Sequence, residues 1–205
     1  MAAAGPGRSV ARVNSNHDKL CGSPEWAAYI QDEVLPAVTA GVDLGQEMLE
    51  IGPGPGAATG WLRQRVRRLT ALERDETAAA ALAEKFPGVE VTAGDATAMR
   101  YPDCSFDSVA SFTMLHHVPT TAQQNQILAE ALRVLRPGGV LVGSDSLPSD
   151  GLHAFHEGDT CHPFEPSTLL VRLQTLGFAA VMVAVEDVLM FTARKAGPAA
   201  DEQAP

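Results

Sequence analysis

The sequence predicts an α/β fold: a mostly parallel sheet with helices on both faces, closed by an antiparallel hairpin at the C-terminal end. Three observations carry this reading. The short apolar run Met48-Leu49-Glu50-Ile51 breaks at once into the alternating glycines of Gly52-Pro53-Gly54-Pro55-Gly56, as a strand does when it turns tightly into a helix. Strand-length apolar runs then alternate with helix-length stretches as far as Gly143, which is how βαβ units are written. Finally, Phe178 to Val185 and Val188 to Ala193 flank Glu186-Asp187 and read as a hairpin.

The chain has 205 residues and is 45% hydrophobic, enough for one domain with a real core and too short for two. A flexible N-terminus is expected over 1–13, the domain over 14–195 with a helical segment at 14–40, and a disordered Ala/Pro/acidic tail over 196–205. A formal net charge of −10 argues against a nucleic-acid partner, because such binding draws its affinity from Lys and Arg. The basic run Arg63, Arg65, Arg67 and Arg68 is spaced to wet the outer face of a helix. Cys21, Cys104 and Cys161 are odd in number and form no C-x-x-C pair, so they read as reduced thiols of a cytoplasmic protein. Met1 to Gly7 has no apolar core with a positive flank, and no later run approaches the length of a membrane span.

The elements follow in order. Asn14 to Ala40 reads as helix, with Ser23 as N-cap, Pro24 at the first helical position, and Trp26, Tyr29, Ile30 and Val34 at helical spacing. Pro36 should end or kink it. After the glycine turn, Trp61 to Leu69 is expected to be a helix and Thr70 to Glu73 a second strand. Asp75 to Phe86 is an Ala-rich helix closed by Pro87-Gly88, and Val89 to Thr92 a third strand. Phe106 to Phe112 is the fourth strand, Thr120 or Thr121 caps a helix through Val134, and Val140 to Gly143 is the fifth strand. Pro166 to Leu176 is a helix closed by Gly177.

The glycine turn carries the chemistry. Pro53 and Pro55 have no N–H to give, so the turn is poorly equipped to cradle a phosphate. Glu50 would repel a phosphate and attract a cationic amino group. Glu73, roughly twenty residues beyond the turn, is placed to accept from a ribose hydroxyl pair. With these residues in view, Glu50-x-Gly52-x-Gly54-x-Gly56 resembles the first motif of the Rossmann-like, class I methyltransferases that use S-adenosylmethionine. Gly94-Asp95-Ala96 after the third strand and Leu135-Arg136-Pro137-Gly138-Gly139 before the fifth resemble later motifs of the same family, in order.

The resemblance covers about Glu47 to Lys195 and implies a seven-stranded sheet closed by a C-terminal hairpin. It implies that Glu50 lies by the methionine amino end, that Gly52, Gly54 and Gly56 lie against the ribose and methionine portions, and that Glu73 binds the ribose. It also implies that Asp95 and Ala96 contact adenine, with Arg74 and Thr113 completing the cofactor set. The N-terminal segment would act as a lid, and Asn14 to Trp26 looks similar to small bacterial methyltransferases, some of which modify saccharides. Branches that methylate DNA or amide nitrogen carry an Asn/Asp-Pro-Pro-aromatic motif where this chain has Ser111-Phe112-Thr113-Met114, which disfavours a nucleobase acceptor.

A hydroxyl acceptor must lose a proton, and histidine titrates near working pH, so histidines at the pocket mouth point to O-methylation of a sugar derivative or secondary metabolite. His116 and His117 follow strand four, and His153, His156 and His162 follow strand five. One of His17, His117 and His153 is expected to be the base, and Asp107, at the wrong end of its strand, to be structural. The loop Asp145 to Glu165 is dense in oxygen and imidazole donors. Its His153-x-x-His156-Glu157 matches no strong metal signature, so no metal ligands are assigned; the loop reads as substrate recognition, with a divalent ion as the alternative. The partner is then a small hydroxylated molecule, with neither nucleic acid nor membrane, and a homodimer is left open. Two rivals remain. An NAD(P)-dependent oxidoreductase is compatible with Gly52-x-Gly54-x-x-Ala57, and a non-catalytic S-adenosylmethionine-binding partner subunit would share every cofactor residue.

Overall fold

A computed structural model describes residues 19–197. His17, the expected flexible stretch 1–13 and most of the expected tail lie outside the described residues. The chain order is α1 (Pro24–Tyr29), a π turn (Ile30–Val34), α2 (Leu35–Thr39), β1 (Glu47–Ile51), α3 (Thr59–Leu62), β2 (Arg68–Glu73), α4 (Glu76–Lys85), β3 (Glu90–Ala93) and β4 (Phe106–Phe112). A 3-10 turn (Leu115–His117) follows, then α5 (Thr121–Val134), β5 (Leu135–Asp145), α6 (Asp150–Phe155), α7 (Pro166–Leu176), β6 (Phe178–Val185) and β7 (Leu189–Lys195).

The seven strands form one sheet in the order β3-β2-β1-β4-β5-β7-β6. β1 to β5 pair in parallel, and β7 inserts antiparallel between β5 and β6. This is the Rossmann-like sheet with its terminal hairpin. The strand order reverses between β1 and β4, where open α/β sheets form their ligand crevice.

Each strand's alternation divides the core. Leu49, Ile51, Val109 and Leu141 pack with Ile127, Leu128 and Val134 of α5 and Leu169 and Leu173 of α7. Met48, Ala110, Val140 and Val142 pack the other way, against Ile30, Val34, Leu35 and Val38 of the N-terminal helices and Leu62 of α3. Adjacent residues of one strand serve opposite layers because the side-chain period is two. Glu50 shares its parity with Met48, so its carboxylate points into the layer that holds the N-terminal helices and α3.

Local signals hold at the caps. Ser23 accepts from the Trp26 N–H, Asp75 from Thr77 and Ala78, and Thr120 from Gln123, while Gly177 takes φ 103. Pro36 does not end the first helix: the π turn just ahead of it absorbs the ring, with Leu35 N–H bonding the Ile30 carbonyl, and α2 runs on to Thr39. The helix expected over Trp61 to Leu69 is cut to Thr59–Leu62, because Arg68 and Leu69 already pair with Glu47 and Met48 in the sheet. The basic run therefore lies mostly off the helix; Arg65 stacks over the Trp61 ring at 3.2 Å. β5 begins at Leu135, five residues early, and its Pro-Gly-Gly bows out where the register shifts between Phe106 and Ser108. The donor-rich loop after β5 contains the unexpected helix α6. Among the described residues, no helix is long and apolar enough to cross a membrane.

Asp107 has the structural role expected of it. One carboxylate oxygen accepts from the N–H groups of Gln46 and Glu47, both at 2.9 Å, and the other takes the Arg136 guanidinium. Burial pushes its pKa up, but Arg136 and the two N–H groups outweigh this and hold it below the usual carboxylate range. Its contribution is therefore present above the unfolded pKa and fades as pH falls through the lower folded value. Asp107→Ala is expected to lower unfolding free energy by about 2 kcal/mol at pH 7, with a smaller deficit near pH 3; urea unfolding at the two pH values measures both.

Candidate active site

A cavity of about 1170 Å³ opens at the carboxyl ends of β1, β2 and β4. Of the residues singled out from the sequence, Glu50, Gly52, Gly54, Glu73, Arg74, Asp95, Ala96, Thr113 and His117 line it. Gly56 and His153 are not among its lining residues.

The three glycines have different reasons to be glycine. A Cβ on Gly52 (φ +63) would overlap Met114, and one on Gly56 (φ +83) would overlap Phe86 and Leu82. These two let the turn pack against the chain after β4 and against α4. Gly54 (φ +52) has nothing within 4 Å of where its Cβ would stand, so its face of the turn is open to the cavity. The N–H groups of the turn are committed internally: Gly52 donates to the Leu72 carbonyl, Gly56 to the Pro53 carbonyl and Gly54 to Glu73 Oε2 at 3.1 Å. Pro53 and Pro55 add none.

Glu73 anchors this turn. Its second oxygen accepts from the N–H groups of Arg74 (2.7 Å) and Asp75 (3.1 Å), which leaves one of about four lone-pair positions for a ligand hydroxyl. Glu50 is only 2% exposed and accepts from the Thr59 hydroxyl at 2.8 Å. Burial lifts its pKa to about 7, with the charge of Glu73 adding to the shift and the Thr59 bond opposing it. A buried acid poised near neutrality suits a cationic ligand group, which would draw it into the ionised form. Asp95 is exposed and holds the start of its turn through bonds from the Thr97 N–H (2.9 Å) and hydroxyl (2.7 Å). Thr113, at φ 49, occupies the left-handed region that β-branched residues avoid. Its N–H bonds the Ser144 carbonyl at 2.8 Å, so the β4–β5 ladder persists into the strained turn.

The histidines separate clearly. His153 is exposed, with Nδ1 2.8 Å from the Ser149 carbonyl. His117 lines the cavity. His116, beside it, is buried and its Nδ1 pairs with the Asp145 carboxylate, which also accepts from the His116 backbone N–H at 3.2 Å. The His116 ring lies 4.0 Å from that of His117 and 5.0 Å from that of His156. This assembly of His116, His117, Asp145 and His156 was not legible as a unit in the sequence. The signal lay in strand pairing: β4 and β5 run parallel with Phe112 opposite Ser144, so the residues just past the end of β4 meet the last residue of β5.

The protonated Glu50 of the folded state releases its proton on unfolding between about pH 4.5 and 7. Its contribution to stability is fully present below the lower value and lost once pH passes the upper one, a change of up to roughly 3 kcal/mol. Glu50→Gln, which mimics the protonated acid, is expected to match the wild type at pH 4 and to be more stable at pH 8; melting curves across that range test it.

Residues 49–143 match the family model described as a methyltransferase domain. A Mycolicibacterium smegmatis protein named "Probable S-adenosylmethionine-dependent methyltransferase" is 34% identical over 100 residues, covering 49% of this chain and 38% of that protein. A demethylmenaquinone methyltransferase of Listeria welshimeri is 30% identical over 130 residues, covering 63% and 43%. The chain thus spans about two fifths of the length of these curated relatives. Among solved structures, a Mesorhizobium loti S-adenosylmethionine-dependent methyltransferase superposes with TM-score 0.66 at 20% identity, covering 86% of this chain and all of that one. The methyltransferase CalH, solved with S-adenosylhomocysteine (SAH), gives 0.67 at 19%, covering 88% and 59%. At such identities the structures speak for the fold alone. The matched segment contains the glycine turn and the crossing from β1 to β4, so residues 49–143 are similar to a methyltransferase domain, on a sheet of the class I, Rossmann-like kind seen in S-adenosylmethionine-dependent methyltransferases.

Proposed function

We propose that this chain transfers the methyl group of S-adenosylmethionine to a hydroxyl oxygen of a small molecule, with His117 as general base. The observation that carries the reading is that His117 shares one cavity with the buried acid Glu50 and the open face of Gly54. The residues present fit the cofactor. Glu50 would hold its cationic amino group, Glu73 one of its ribose hydroxyls through the position its backbone bonds leave open, and Asp95 with Ala96 its adenine, while a turn with its N–H groups already committed has no cradle for the pyrophosphate of NAD(P). Arg74 and Thr113 would close the two ends of the site.

When bound, the cofactor supplies an electrophilic methyl on a sulfonium. The protein's part is to align the acceptor in line with that methyl and to keep a lone pair free. His117 would take the hydroxyl proton as the oxygen attacks. His153 is exposed and off the cavity, so the role passes to His117; His17 lies outside the described residues. Trp26, Ile30 and Phe112 on the wall favour an acceptor with an apolar body over a bare sugar. They also favour a second reading, methylation of a carbon on a hydroxylated ring, in which the same histidine would take the ring hydroxyl's proton; the demethylmenaquinone methyltransferases among the relatives support it. The net charge of −10 supports a small-molecule acceptor, with the cytoplasm as the proposed site of action.

Transfer of labelled methyl from S-adenosylmethionine to a panel of sugars, phenols and quinols tests the proposal. His117→Ala is expected to lower kcat by 10²- to 10⁴-fold with SAH affinity unchanged, and His153→Ala to leave kcat within about twofold, since a group off the cavity touches no reacting atom. Tight SAH binding with no turnover on any acceptor class would instead mark a non-catalytic partner subunit.

A further inference from the structure

We propose that His116, His117 and His156 form a binding site for a divalent transition metal, with zinc the best chemical match. Each offers a ring nitrogen, and these atoms all lie within 4.8 Å of one another. The tautomers point the same way. His116 gives Nδ1 to the Asp145 carboxylate and His156 gives Nδ1 to the Leu152 carbonyl at 2.8 Å. In the neutral ring this leaves the lone pair on Nε2, the nitrogen that binds metal when a carboxylate or carbonyl holds the other. Asp145 is fully buried and also accepts from the Ser146 N–H at 2.7 Å. It supplies the negative charge that a divalent ion in this layer requires.

A packed cluster of neutral rings accounts for the 4.0 to 5.1 Å ring separations without any ion. It does not account for two Nδ1 anchors that leave Nε2 on both buried rings as acceptor atoms near a third imidazole. Tetrahedral zinc at about 2.1 Å from each nitrogen needs nitrogens about 3.4 Å apart, so nitrogens that now lie within 4.8 Å of one another must close by up to about 1.4 Å. His156 sits at the C-cap of the six-residue α6, a short element that can supply this movement. Three imidazoles leave a fourth position, as in catalytic rather than structural zinc sites. His117 lines the cavity together with Asp159 and Thr160, so a position left open on the His117 side would face the cavity. A bound water or acceptor hydroxyl there would lose its proton more readily, and the ion would then take over the role given to a metal-free His117. This catalytic consequence rests on the methyltransferase reading; metal binding does not.

The donor set also differs from the pattern weighed in the sequence, since neither His153 nor Glu157 belongs to it. The test uses the full chain stripped with a chelator and titrated with Zn²⁺ by calorimetry and with Co²⁺ by visible absorption. One ion per chain and the d–d bands of tetrahedral Co²⁺ are expected. Binding should weaken at least tenfold in His156→Ala and in His117→Ala, and 10- to 100-fold in Asp145→Asn. No saturable binding by the wild type, octahedral Co²⁺ bands, or equal affinity in a folded His117→Ala would overturn the proposal. His117→Ala serves as the main variant because its site is less buried than that of His156. SAH titration of the same preparations separates the two readings: retained SAH binding without metal binding overturns only the metal site.

Discussion

The structure turns on the way one backbone turn is locked at the end of β1. Gly52 lies against Met114 from the chain after β4, Gly56 lies against Phe86 and Leu82 of α4, and Gly54 is tied to Glu73 at the end of β2. Three neighbouring elements thus fix a single loop. A side chain at either outer position would collide with Met114 or with Phe86 and Leu82 and would also be strained by the positive φ, so both close approaches require glycine. The middle position faces open space.

This lock explains how a costly group persists. Glu50 is a carboxylate on the apolar parity of a central strand, with the Thr59 hydroxyl as its named bond and a second acid nearby. Burial at that place weakens the apo protein above neutral pH. The same burial, in a low dielectric, strengthens attraction to a cationic ligand. Under the proposed function, stability and binding of a cationic ligand would oppose each other at this one residue.

Across the reversal point, the second feature of the site follows from pairing alone. β4 and β5 are parallel neighbours, and His116, just past the end of β4, meets Asp145, the last residue of β5, in the interior. Much of this architecture was legible in the residues: the glycine turn, the acid that ends β2, the caps at Ser23, Asp75 and Thr120, and the final hairpin all declare themselves through local chemistry. What escaped depends on distant partners. The shortness of α3 is set by the pairing of Arg68 and Leu69 with β1, and the extension of β5 back to Leu135 by its pairing with Phe106. The convergence of His116, His117 and His156 joins segments some forty residues apart, a distance over which no periodicity speaks.

The proposed function requires the cavity at the reversal between β1 and β4 to bind S-adenosylmethionine. Calorimetric titration of the purified chain with SAH, alongside NADH and repeated on Glu73→Ala, tests it most directly. Saturable binding of SAH alone is expected, weakened at least tenfold by the substitution, since one charged hydrogen-bonding group is lost. Binding of NADH in its place, or of neither ligand to the folded wild type, would contradict it.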